Sequence, residues 1–586
     1  MSFTVLSLGT SLATSCSHDW NSYDPRVGDE GSSSTSSSSS TSSSSSSGNA
    51  GGMGGTSGMG GMAQTGGMGG VGGTGGMGAG GMSVGGSGGM GGCMPGVGKA
   101  CYSGPAGTEN VGACKGGATL CQADGMSYGP CLGEVTPVVE DCASSTVDDD
   151  CNGMVNEHCG IWAKRAGFTL EQRTQGVATD SQGNVVITGR MFGSADFGGG
   201  MLTSAGGYDF FVAKFDKDGN HLWSKIFGGT TDDEAVAIAT DSAGNVFLTG
   251  YFTGTMSIGA TNLTATDTSD GFVIKLDSMG AVAGHAILSG LGSQLSTSIV
   301  VDSMGGVFVA GDFDTQINTG VGQLTSFDLL DGFIVKYDNT LSPLWHKSFG
   351  GSGDDHANGL ARDSMNNLYV TGSYNGTVDF GGGPLPNGGG TDAFVAKLNP
   401  VGTHVLSKGF ATNGNQSPKS IAVNAAGEIF IYGEFTTQID LGGGVVLAAG
   451  LADLFLTKLD PTATHVFTKV YGDLEDQAPH GMAVDSAGDV VFSMSLEGTV
   501  DFGGGPLVNA GPAGNSDVVV VKLSSSGSYR WSRRYGATND QDSRAIAVDG
   551  MNNIFVGGEL GGTMNFGPVT ITASSSDDAF IAKLEP

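Results

Sequence analysis

A short acidic stretch, residues 148–157, has the arrangement best suited to binding a metal ion. Oxygen donors occupy its positions 1, 3 and 5 and glycine its position 6, as at the start of a calcium loop, where glycine permits the sharp turn. The bidentate glutamate of such loops is absent from position 12, where Cys159 stands. We expect calcium here, and a solvated acidic turn held by disulfides is the alternative. The candidate ligands are Asp148, Asp150, Asn152 and Glu157.

Further carboxylates cluster in the longer connections of the repeat region that follows. Long loops on a rigid scaffold are where binding usually occurs, and converging carboxylates raise the local concentration of cations. We therefore predict a ligand face that is cation-dependent or takes a basic ligand; a solvated acidic rim is the alternative. The residues of this candidate ligand face are Asp232, Asp233, Glu234, Asp354, Asp355, Asp540 and Asp542.

The repeat region shows no constellation typical of catalysis. It contains no cysteine, which excludes a thiol nucleophile. Three histidines, His221, His404 and His465, recur at one repeat position and are interpreted as structural. His356 and His480 are solitary and are interpreted as surface-loop residues. We therefore predict no catalytic residue and no certain cofactor.

Residues 93–159 form a predicted disulfide module. An even number of cysteines in so short a segment indicates four disulfides, made in an oxidising compartment, with a connectivity that spacing does not determine. A zinc site is the rival interpretation, but no CxxC pair is present. The eight cysteines are Cys93, Cys101, Cys114, Cys121, Cys131, Cys142, Cys151 and Cys159.

The first sixteen residues are similar to the apolar part of an export signal that ends in a lipoprotein cysteine, Cys16. Two features depart from that pattern, because no Lys or Arg precedes the apolar residues and Leu12 lies one place early. An ordinary N-terminus with a free thiol is the alternative. Residues 17–92, rich in Ser, Gly and Met, are too poor in apolar surface to fold and are predicted to be a disordered linker.

Composition excludes two classes of partner. The formal net charge of −32 over 586 residues argues against nucleic acid, whose binding needs stripes of Lys and Arg. No run of apolar residues is long enough for a membrane-spanning helix, so contact with a membrane is expected only through a lipid anchor.

The chain from residue 160 to its C-terminus is predicted to be an all-β, seven-bladed propeller. Copies of one pattern recur about every 61 residues, and each contains four short segments rich in Val, Ile, Phe and Leu between turn residues. A linear solenoid would need capping repeats, whereas here the two ends are complementary. Residues 161–166 are a fourth strand without its first three, and the last copy stops after its third strand. We expect the ring to close by pairing residues 161–166 with 579–584.

Two resemblances to known families follow from these residues. The recurring pattern D-x-F-[VI]-x-K, then L-W-x-K-x-[FY]-G, then segments such as Val246–Phe252 resembles the bacterial SBBP repeat, named for seven-bladed β-propellers. That resemblance covers residues 161–586 and implies a fold but no single activity. The stretch from Glu140 to Cys159 resembles the Cys- and Asp-rich putative metal-binding motif of MopE-type bacterial surface proteins, which implies calcium.

Together these features predict an exported, lipid-anchored protein at the outer membrane or surface of a Gram-negative bacterium, or alternatively a secreted one. The propeller would be a monomeric binding platform for an extracellular ligand, a surface protein or a glycan. An extracellular propeller enzyme of lyase or glycosidase type, and a structural coat component, are the alternatives. A cluster of carboxylates and histidine at the channel that does not repeat would favour the enzyme.

Overall fold

The computed structural model describes residues 93–105, 107–137, 151, 161–512, 514–574 and 577–586. The chain separates into two compact units, and each is described by itself. All the regular structure within the described residues is β, and none of it is a helix able to span a membrane. Several sequence predictions fall outside these residues and stay predictions: Cys16, the linker 17–92, Asp148, Asp150, Asn152, Glu157, Cys142 and Cys159.

The smaller unit contains most of the described cysteines. Its strands Gly98–Cys101 and Gly117–Leu120 pair antiparallel. Disulfides join Cys93 to Cys121, which directly follows the second strand, and Cys101, the last residue of the first strand, to Cys131. Cys114 and Cys151 are also disulfide-bonded. The prediction of disulfides is therefore confirmed for the six cysteines that the structure describes, which suits a unit with so small an apolar core.

Residues 161–586 form the predicted seven-bladed propeller, and each blade is an antiparallel sheet with an inner, second, third and outer strand. The inner strands, in blade order, are Gln172–Thr179, Asp233–Thr240, Gln294–Val301, His356–Arg362, Gln416–Val423, Gln477–Val484 and Gln541–Val548. The second strands are Val185–Met191, Val246–Phe252, Val307–Phe313, Leu368–Tyr374, Ile429–Phe435, Val490–Leu496 and Ile554–Leu560. The third strands are Asp209–Phe215, Asp270–Leu276, Asp331–Tyr337, Asp392–Leu398, Asp453–Leu459, Asp517–Leu523 and Asp578–Leu584. The outer strands are His221–Gly229, Val282–Leu288, Pro343–Phe349, His404–Phe410, His465–Tyr471, Tyr529–Tyr535 and, for blade seven, Trp162–Ala166.

Six blades also carry a short hairpin between the second and third strands, which the sequence analysis did not predict. The hairpins, defined by their paired strands, are Ser194–Asp196 with Met201–Thr203, Thr255–Ile258 with Thr261–Thr264, Gln316–Asn318 with Gln323–Thr325, Gln438–Ile439 with Val446–Leu447, Thr499–Asp501 with Pro506–Val508, and Thr563–Asn565 with Thr570–Thr572. Each strand of a hairpin has only two to four residues, too few for a periodic signal.

Each tight turn after an inner strand is made by the residue that follows the strand, an aspartate in six blades and Asn424 in blade five. In blade one, Asp180 Oδ1 accepts the backbone N–H groups of Gln182 and Asn184 at 2.9 and 3.0 Å. Gly183 has a φ of 79°, a left-handed conformation that glycine adopts without steric cost. The turn therefore follows from side chains that bond their own backbone.

A buried ion pair and a tryptophan join neighbouring blades at the same end. In blade three, Lys336 Nζ lies 3.2 Å from Asp302 Oδ2, and both side chains are almost fully buried. The Lys336 amine and Trp345 Nε1 both donate to the carbonyl oxygen of Pro400 in blade four, at 3.1 and 3.2 Å. Trp345 also packs on Gly402 of that turn. In this joint the aspartate, the lysine and the tryptophan therefore all have a structural role.

In blade five two residues of this joint differ from the other blades, but the lysine still has a carboxylate partner. Asn424 occupies the aspartate position, and Glu428 stands where the other blades have asparagine, glycine or, in blade six, Asp489. Glu428 Oε2 accepts from Lys458 Nζ and from Asn424 Nδ2, both at 2.7 Å. The carboxylate has therefore moved four residues along the turn, while the lysine keeps its ion pair.

The ring closes as the sequence predicts. Trp162–Ala166 pairs antiparallel with Asp578–Leu584, in a register that sets Trp162 against Lys583 and Ala166 against Ala579. The inner strands contact one another in turn around the ring, and the last contacts the first. Blade seven is therefore built from both ends of the repeat region.

Deleting residues 160–168 should destabilise the whole ring, because it removes the outer strand of blade seven and exposes a sheet edge. We expect a lower midpoint of thermal unfolding, measured by circular dichroism on the full chain and on the deletion. An unchanged midpoint would contradict closure by this strand.

The exchange in blade five predicts a coupled pair of substitutions. Glu428→Asn removes the carboxylate partner of Lys458, a mostly buried lysine, and should lower the free energy of unfolding by about 1–3 kcal/mol. Adding Asn424→Asp restores the arrangement of blade one and should recover most of that loss. Denaturant unfolding of the two single variants and the double variant gives the coupling energy, and a value near zero would show that the two positions act independently.

Candidate functional site

The inner strands share one irregularity, a β-bulge near the end at which they begin. In blade one the register shifts between Thr174 and Gly176, and the equivalent shift occurs in every blade. A bulge leaves one residue without a cross-strand partner and redirects its side chain. The bulged residues are Gln175, Val236, Thr297, Asn358, Lys419, His480 and Arg544, with Gly481 also bulged in blade six.

Two further positions lie beside each bulge, where the inner strand begins and the second strand ends. The inner-strand residues are Arg173, Glu234, Leu295, His356, Ser417, Ala478 and Asp542. Their partners across the pair are Arg190, Tyr251, Asp312, Ser373, Glu434, Ser495 and Glu559. These positions and the bulged residues surround one end of the central channel and are called the channel mouth.

In blades one and two, side chains of the channel mouth form a network centred on Glu234. Gln175 Nε2 donates to Glu234 Oε1 at 2.6 Å, and the Tyr251 hydroxyl donates to Oε2 at 3.0 Å. The Arg190 guanidinium lies 3.5 Å from Glu234 and 3.1 Å from Glu171. Glu234 is almost fully buried, so its charge is held by these donors and not by solvent.

The network also reaches an aromatic pair. The Arg190 guanidinium lies over the ring of Tyr208, 4.4 Å from its centroid, and the Tyr208 hydroxyl donates to Glu171 at 2.6 Å. Burial, then the hydrogen bond and charge of Glu171, raise the pKa of Tyr208. The ring of Tyr208 also contacts that of Phe192, which is 38% exposed. An aromatic surface therefore lies beside the charged groups.

A second network joins blade seven to blade one. Glu559 accepts from Arg173 Nε at 2.5 Å and from Arg544 Nη2 at 2.8 Å. Although burial opposes ionisation, the two guanidinium groups hold the pKa of Glu559 far below its usual value. Asp542, which accepts from Ser516 Oγ at 2.6 Å, has a raised pKa because it is buried. The channel mouth thus contains one firmly ionised carboxylate next to one that is harder to ionise.

Blades four and six each place a histidine at the channel mouth, and here the sequence prediction was wrong. His356 and His480 were expected on surface loops, but both belong to inner strands and are mostly buried. Burial would lower the pKa of His356, but the charge and the 2.8 Å contact of Asp312 outweigh it and raise that pKa. Burial, then the charges of Arg544 and Lys419, lower the pKa of His480, which bonds Ser495 Oγ at 2.8 Å.

Three residues of the predicted candidate ligand face cap third strands. Asp232 accepts the backbone N–H of Tyr208, Asp354 that of Leu330, and Asp540 that of Ser516, at 2.9, 3.3 and 2.9 Å. Asn415 makes the same bond to Thr391 in blade five, so the contact belongs to the repeat.

The structure brings Glu234 and Asp542 into the channel mouth and buries Asp233 and Asp355 in a separate position. That position holds glutamine in the other five blades: Gln172, Gln294, Gln416, Gln477 and Gln541. No three His, Cys, Asp or Glu side chains among the described residues are arranged to hold a metal ion. The seven residues of the candidate ligand face therefore do not form one site. Three cap third strands, two are buried carboxylates at the glutamine position, and two belong to the channel mouth.

The glutamine position ties the connection before each inner strand to the end of the second strand. Gln172 Nε2 donates to the carbonyl oxygens of Thr169 and Phe192, at 2.6 and 3.0 Å. An aspartate cannot donate in this way when ionised. Burial, then the charge of Asp209, raise the pKa of Asp233 to about 8.

Asp355 behaves in the same way in blade four. Its oxygens accept the backbone N–H groups of Gly351 and Asn375 at 2.8 and 3.2 Å. Burial nevertheless dominates and, with the charge of Asp331, raises the pKa of Asp355 to about 7. In blades two and four, therefore, the carboxyl group at this position has a pKa well above its usual value.

Sequence reasoning missed most of the channel mouth, although a usable signal was present. The copies agree at the turn aspartates, the third-strand lysines and the aromatic packing positions, but they differ at the three mouth positions. Reading the repeats for agreement identified the scaffold, whereas the positions of disagreement hold the chemistry. The bulge that aims those side chains inward leaves no mark in hydrophobic periodicity.

Comparisons with known proteins agree with the architecture. Residues 222–254 match the family described as the beta-propeller repeat, SBBP. The chain is 22% identical over 497 residues to an uncharacterised WD repeat-containing protein of Acanthamoeba polyphaga mimivirus and 24% identical over 313 residues to the regulatory protein FlaEY of Caulobacter vibrioides. These matches cover 75% and 49% of this chain, and they span about a third of each relative's length, 33% and 32%.

Solved structures show a weaker likeness. A protein of unknown function from Bacteroides caccae matches with a TM-score of 0.30 and 11% identity, covering 59% of this chain and 93% of that one. The WD40 propeller domain of Doa1 matches with a TM-score of 0.34 and 11% identity, covering 70% of this chain and 93% of the domain. The strand pairings and the ring closure define the class: this is a seven-bladed β-propeller, and its residues 222–254 match the SBBP repeat.

The buried carboxyl groups of blades two and four predict a pH dependence of stability. A carboxyl whose pKa is raised on folding stabilises the fold below its unfolded value of about 4, and that contribution is lost as pH rises towards 8. Asp233→Gln with Asp355→Gln should therefore raise the free energy of unfolding at pH 8 by about 2–4 kcal/mol and flatten its decline between pH 4 and 8. Chemical denaturation at several pH values measures both effects.

Gln294→Glu is the matched control, because it places a carboxyl at the same position of blade three. It should introduce the decline that the double variant removes. Identical pH profiles for all three proteins would contradict the assignment to this position.

Proposed function

We propose that this chain is an exported, lipid-anchored surface protein whose propeller captures an extracellular glycan at the channel mouth. One observation carries the proposal: the repeats keep their structural positions but place different polar groups at the mouth of each blade. A scaffold position is filled in the same way in every copy, whereas a ligand without sevenfold symmetry needs a different group from each blade. The ligand is therefore expected to lie across the end of the channel.

The energetics support a binding role for these groups. Burying a charged side chain costs several kcal/mol even when it is paired, and apolar residues of similar size are often as stable or more stable. The channel mouth nevertheless holds Arg173, Arg544, Glu234 and Glu559, all mostly buried. Groups that weaken the fold in this way are most simply explained by recognition of a polar ligand.

A glycan fits the mixture of groups. Guanidinium, carboxylate and amide side chains form fixed, directional hydrogen bonds to hydroxyls, and an exposed aromatic ring supplies a flat apolar surface for a sugar ring. Phe192 provides such a ring beside Tyr208 and Arg190. A basic peptide is less well matched, because Arg173, Arg190, Lys419 and Arg544 would repel it.

Export and anchoring rest on the cysteine-rich unit and the N-terminus. The disulfides of the smaller unit support folding in an oxidising compartment. Cys16 is the proposed lipidation site and residues 17–92 the proposed stalk, which would place the propeller away from the membrane. The proposed calcium ligands Asp148, Asp150, Asn152 and Glu157 would stiffen the connection to the propeller.

Catalysis is the second candidate, because the channel mouth holds the cluster of histidines and carboxylates that would favour it. Asp577 directly precedes the third strand of blade seven and lies outside the channel mouth as defined above; burial, then the charges of Glu559 and Glu171, raise its pKa to about 6, a value suited to proton transfer. Asp542 and Glu559, however, are hydrogen-bonded to each other. The two carboxyl groups of a glycosidase lie about 5–9 Å apart, so this pair lacks the spacing for that reaction. Incubating bound glycans with the protein and measuring cleavage separates the two functions.

The binding proposal is tested by a glycan array with the full chain and three variants. Phe192→Ala removes the exposed ring, and Glu234→Gln removes a buried charge while keeping its shape. Each should weaken capture at least tenfold, and Phe192→Ala should leave the unfolding temperature unchanged. Met365→Ala, at an exposed turn on the opposite end of the ring, is the control and should bind as the parent does. Equal capture by all four proteins would refute the channel mouth as the site, and capture of basic peptides alone would refute the glycan.

A further inference from the structure

A pocket of about 750 Å³ opens on the perimeter of the propeller where the ring closes. It lies between the closing strand Trp162–Ala166 and the hairpin, third strand and outer strand of blade one. Its volume falls within the range of about 300–1,000 Å³ found for small-molecule sites. We call it the closure pocket; it lies apart from the channel mouth.

The closure pocket exists because one packing residue is small. Ala166 is the residue of blade seven's outer strand that faces blade one. Each of the other six blades has a large apolar side chain at this position, and all of them are buried. They are Phe227, Leu288, Phe349, Phe410, Tyr471 and Tyr535.

Those side chains show what fills the space elsewhere. In three of the joints an aromatic ring of the outer strand packs, tilted, against a phenylalanine of the next blade: Phe349 against Phe380, Tyr471 against Phe502 and Tyr535 against Phe566, with ring centroids 4.6, 4.9 and 4.7 Å apart. Phe197 is the equivalent phenylalanine of blade one, and it lines the closure pocket opposite Ala166. The joint therefore keeps one half of an aromatic pair and lacks the other.

The remaining lining gives the pocket an apolar floor. Ile187, Phe215 and Phe580 contribute buried side chains, while Phe168 and Met201 at the edge are 61% and 49% exposed. Exposed apolar residues around a concave surface are typical of ligand grooves.

Lys164, at the edge of the closure pocket, is a cationic side chain that can pair with a ligand. Lys164 is exposed and forms no ion pair in the described propeller residues. Its neighbour Arg165 is already bound to Asp578 at 3.0 Å. The carboxylate of Asp196 accepts the backbone N–H groups of Gly198 and Gly200 at 2.7 and 3.0 Å. Lys164 is therefore the group at this edge that can pair with a negative group on a ligand.

We propose that the closure pocket binds a small planar aromatic anion, whose ring takes the place that a phenylalanine or tyrosine occupies in the equivalent joints. The ring packs on Phe197 and over Ala166, and the anionic group lies near Lys164. The pocket is independent of the channel mouth, so glycan capture and aromatic-anion binding fail separately.

The test uses anilinonaphthalene sulfonate, an aromatic anion whose fluorescence rises on binding, with the full chain. We expect one saturable site. Ala166→Phe should abolish that site, weakening binding at least tenfold, and should leave the unfolding temperature equal or higher, because the new ring enters an empty space. Lys164→Glu, an exposed change, should weaken binding several-fold and leave binding of uncharged naphthalene unaltered.

Phe349→Ala is the matched control, because it creates the same vacancy opposite Phe380 and should add a second site. Undiminished binding by Ala166→Phe would overturn the proposal. So would a marked loss of thermal stability in that variant, since it would show that the space is already filled. Unchanged sulfonate binding by Lys164→Glu would overturn the anionic part.

Discussion

Ring closure is the constraint on which the rest of this structure depends. Seven sheets pack side by side only if the last also packs on the first, and here that contact is secured by pairing Trp162–Ala166 with Asp578–Leu584. The closing strand lies more than four hundred residues from its partner in the sequence. Bringing the two strands together costs chain entropy, and the packing of the complete ring offsets that cost. Closing with a strand from the opposite end also removes the exposed edge that an incomplete blade would present. At this joint Ala166 stands where each of the other six blades has a large apolar side chain.

The two ends of the propeller differ: one carries the tight turns that join neighbouring blades, and the other carries the channel mouth. At one end, a tight turn follows each inner strand, and in blade three the lysine and the tryptophan both bond the turn of the next blade. The tryptophan contact recurs in blades one and seven, and the lysine contact recurs in blades two, five and seven. At the other end, the bulges free one side chain in each blade, and these side chains differ in charge, size and hydrogen-bonding capacity. A repeated scaffold thus supports a site that does not repeat, because the two sets of residues lie at opposite ends of the same strands.

Buried charge is used in two distinct ways. At the joints, Lys336 and Asp302 neutralise each other with help from backbone groups, and the pair is structural. At the channel mouth, Glu559 is shared between two arginines, and Glu234 is shared among an arginine, a glutamine and a tyrosine. Such shared carboxylates fix the positions of long side chains, which lose little further freedom when a ligand arrives. Asp233 and Asp355 are a third case, in which burial without a cation leaves a carboxyl difficult to ionise.

The sequence by itself determined the number of blades, the strands within each, the turn chemistry and the closing pair, because each is set by a local pattern repeated seven times. The same evidence predicted a structural role for His221, His404 and His465. The sequence analysis placed His356 and His480 on loops instead of in strands. A histidine with polar neighbours has the same sequence pattern in a strand as in a loop. The sequence analysis also treated Asp232, Asp233 and Glu234 as one acidic cluster. The tertiary structure decided that one is a cap, one is buried and one belongs to the channel mouth, because successive residues of a strand face different surroundings. Only the folded ring could show which differing residues meet across the channel, since they come from seven separate copies and are aimed there by bulges that have no sequence signature.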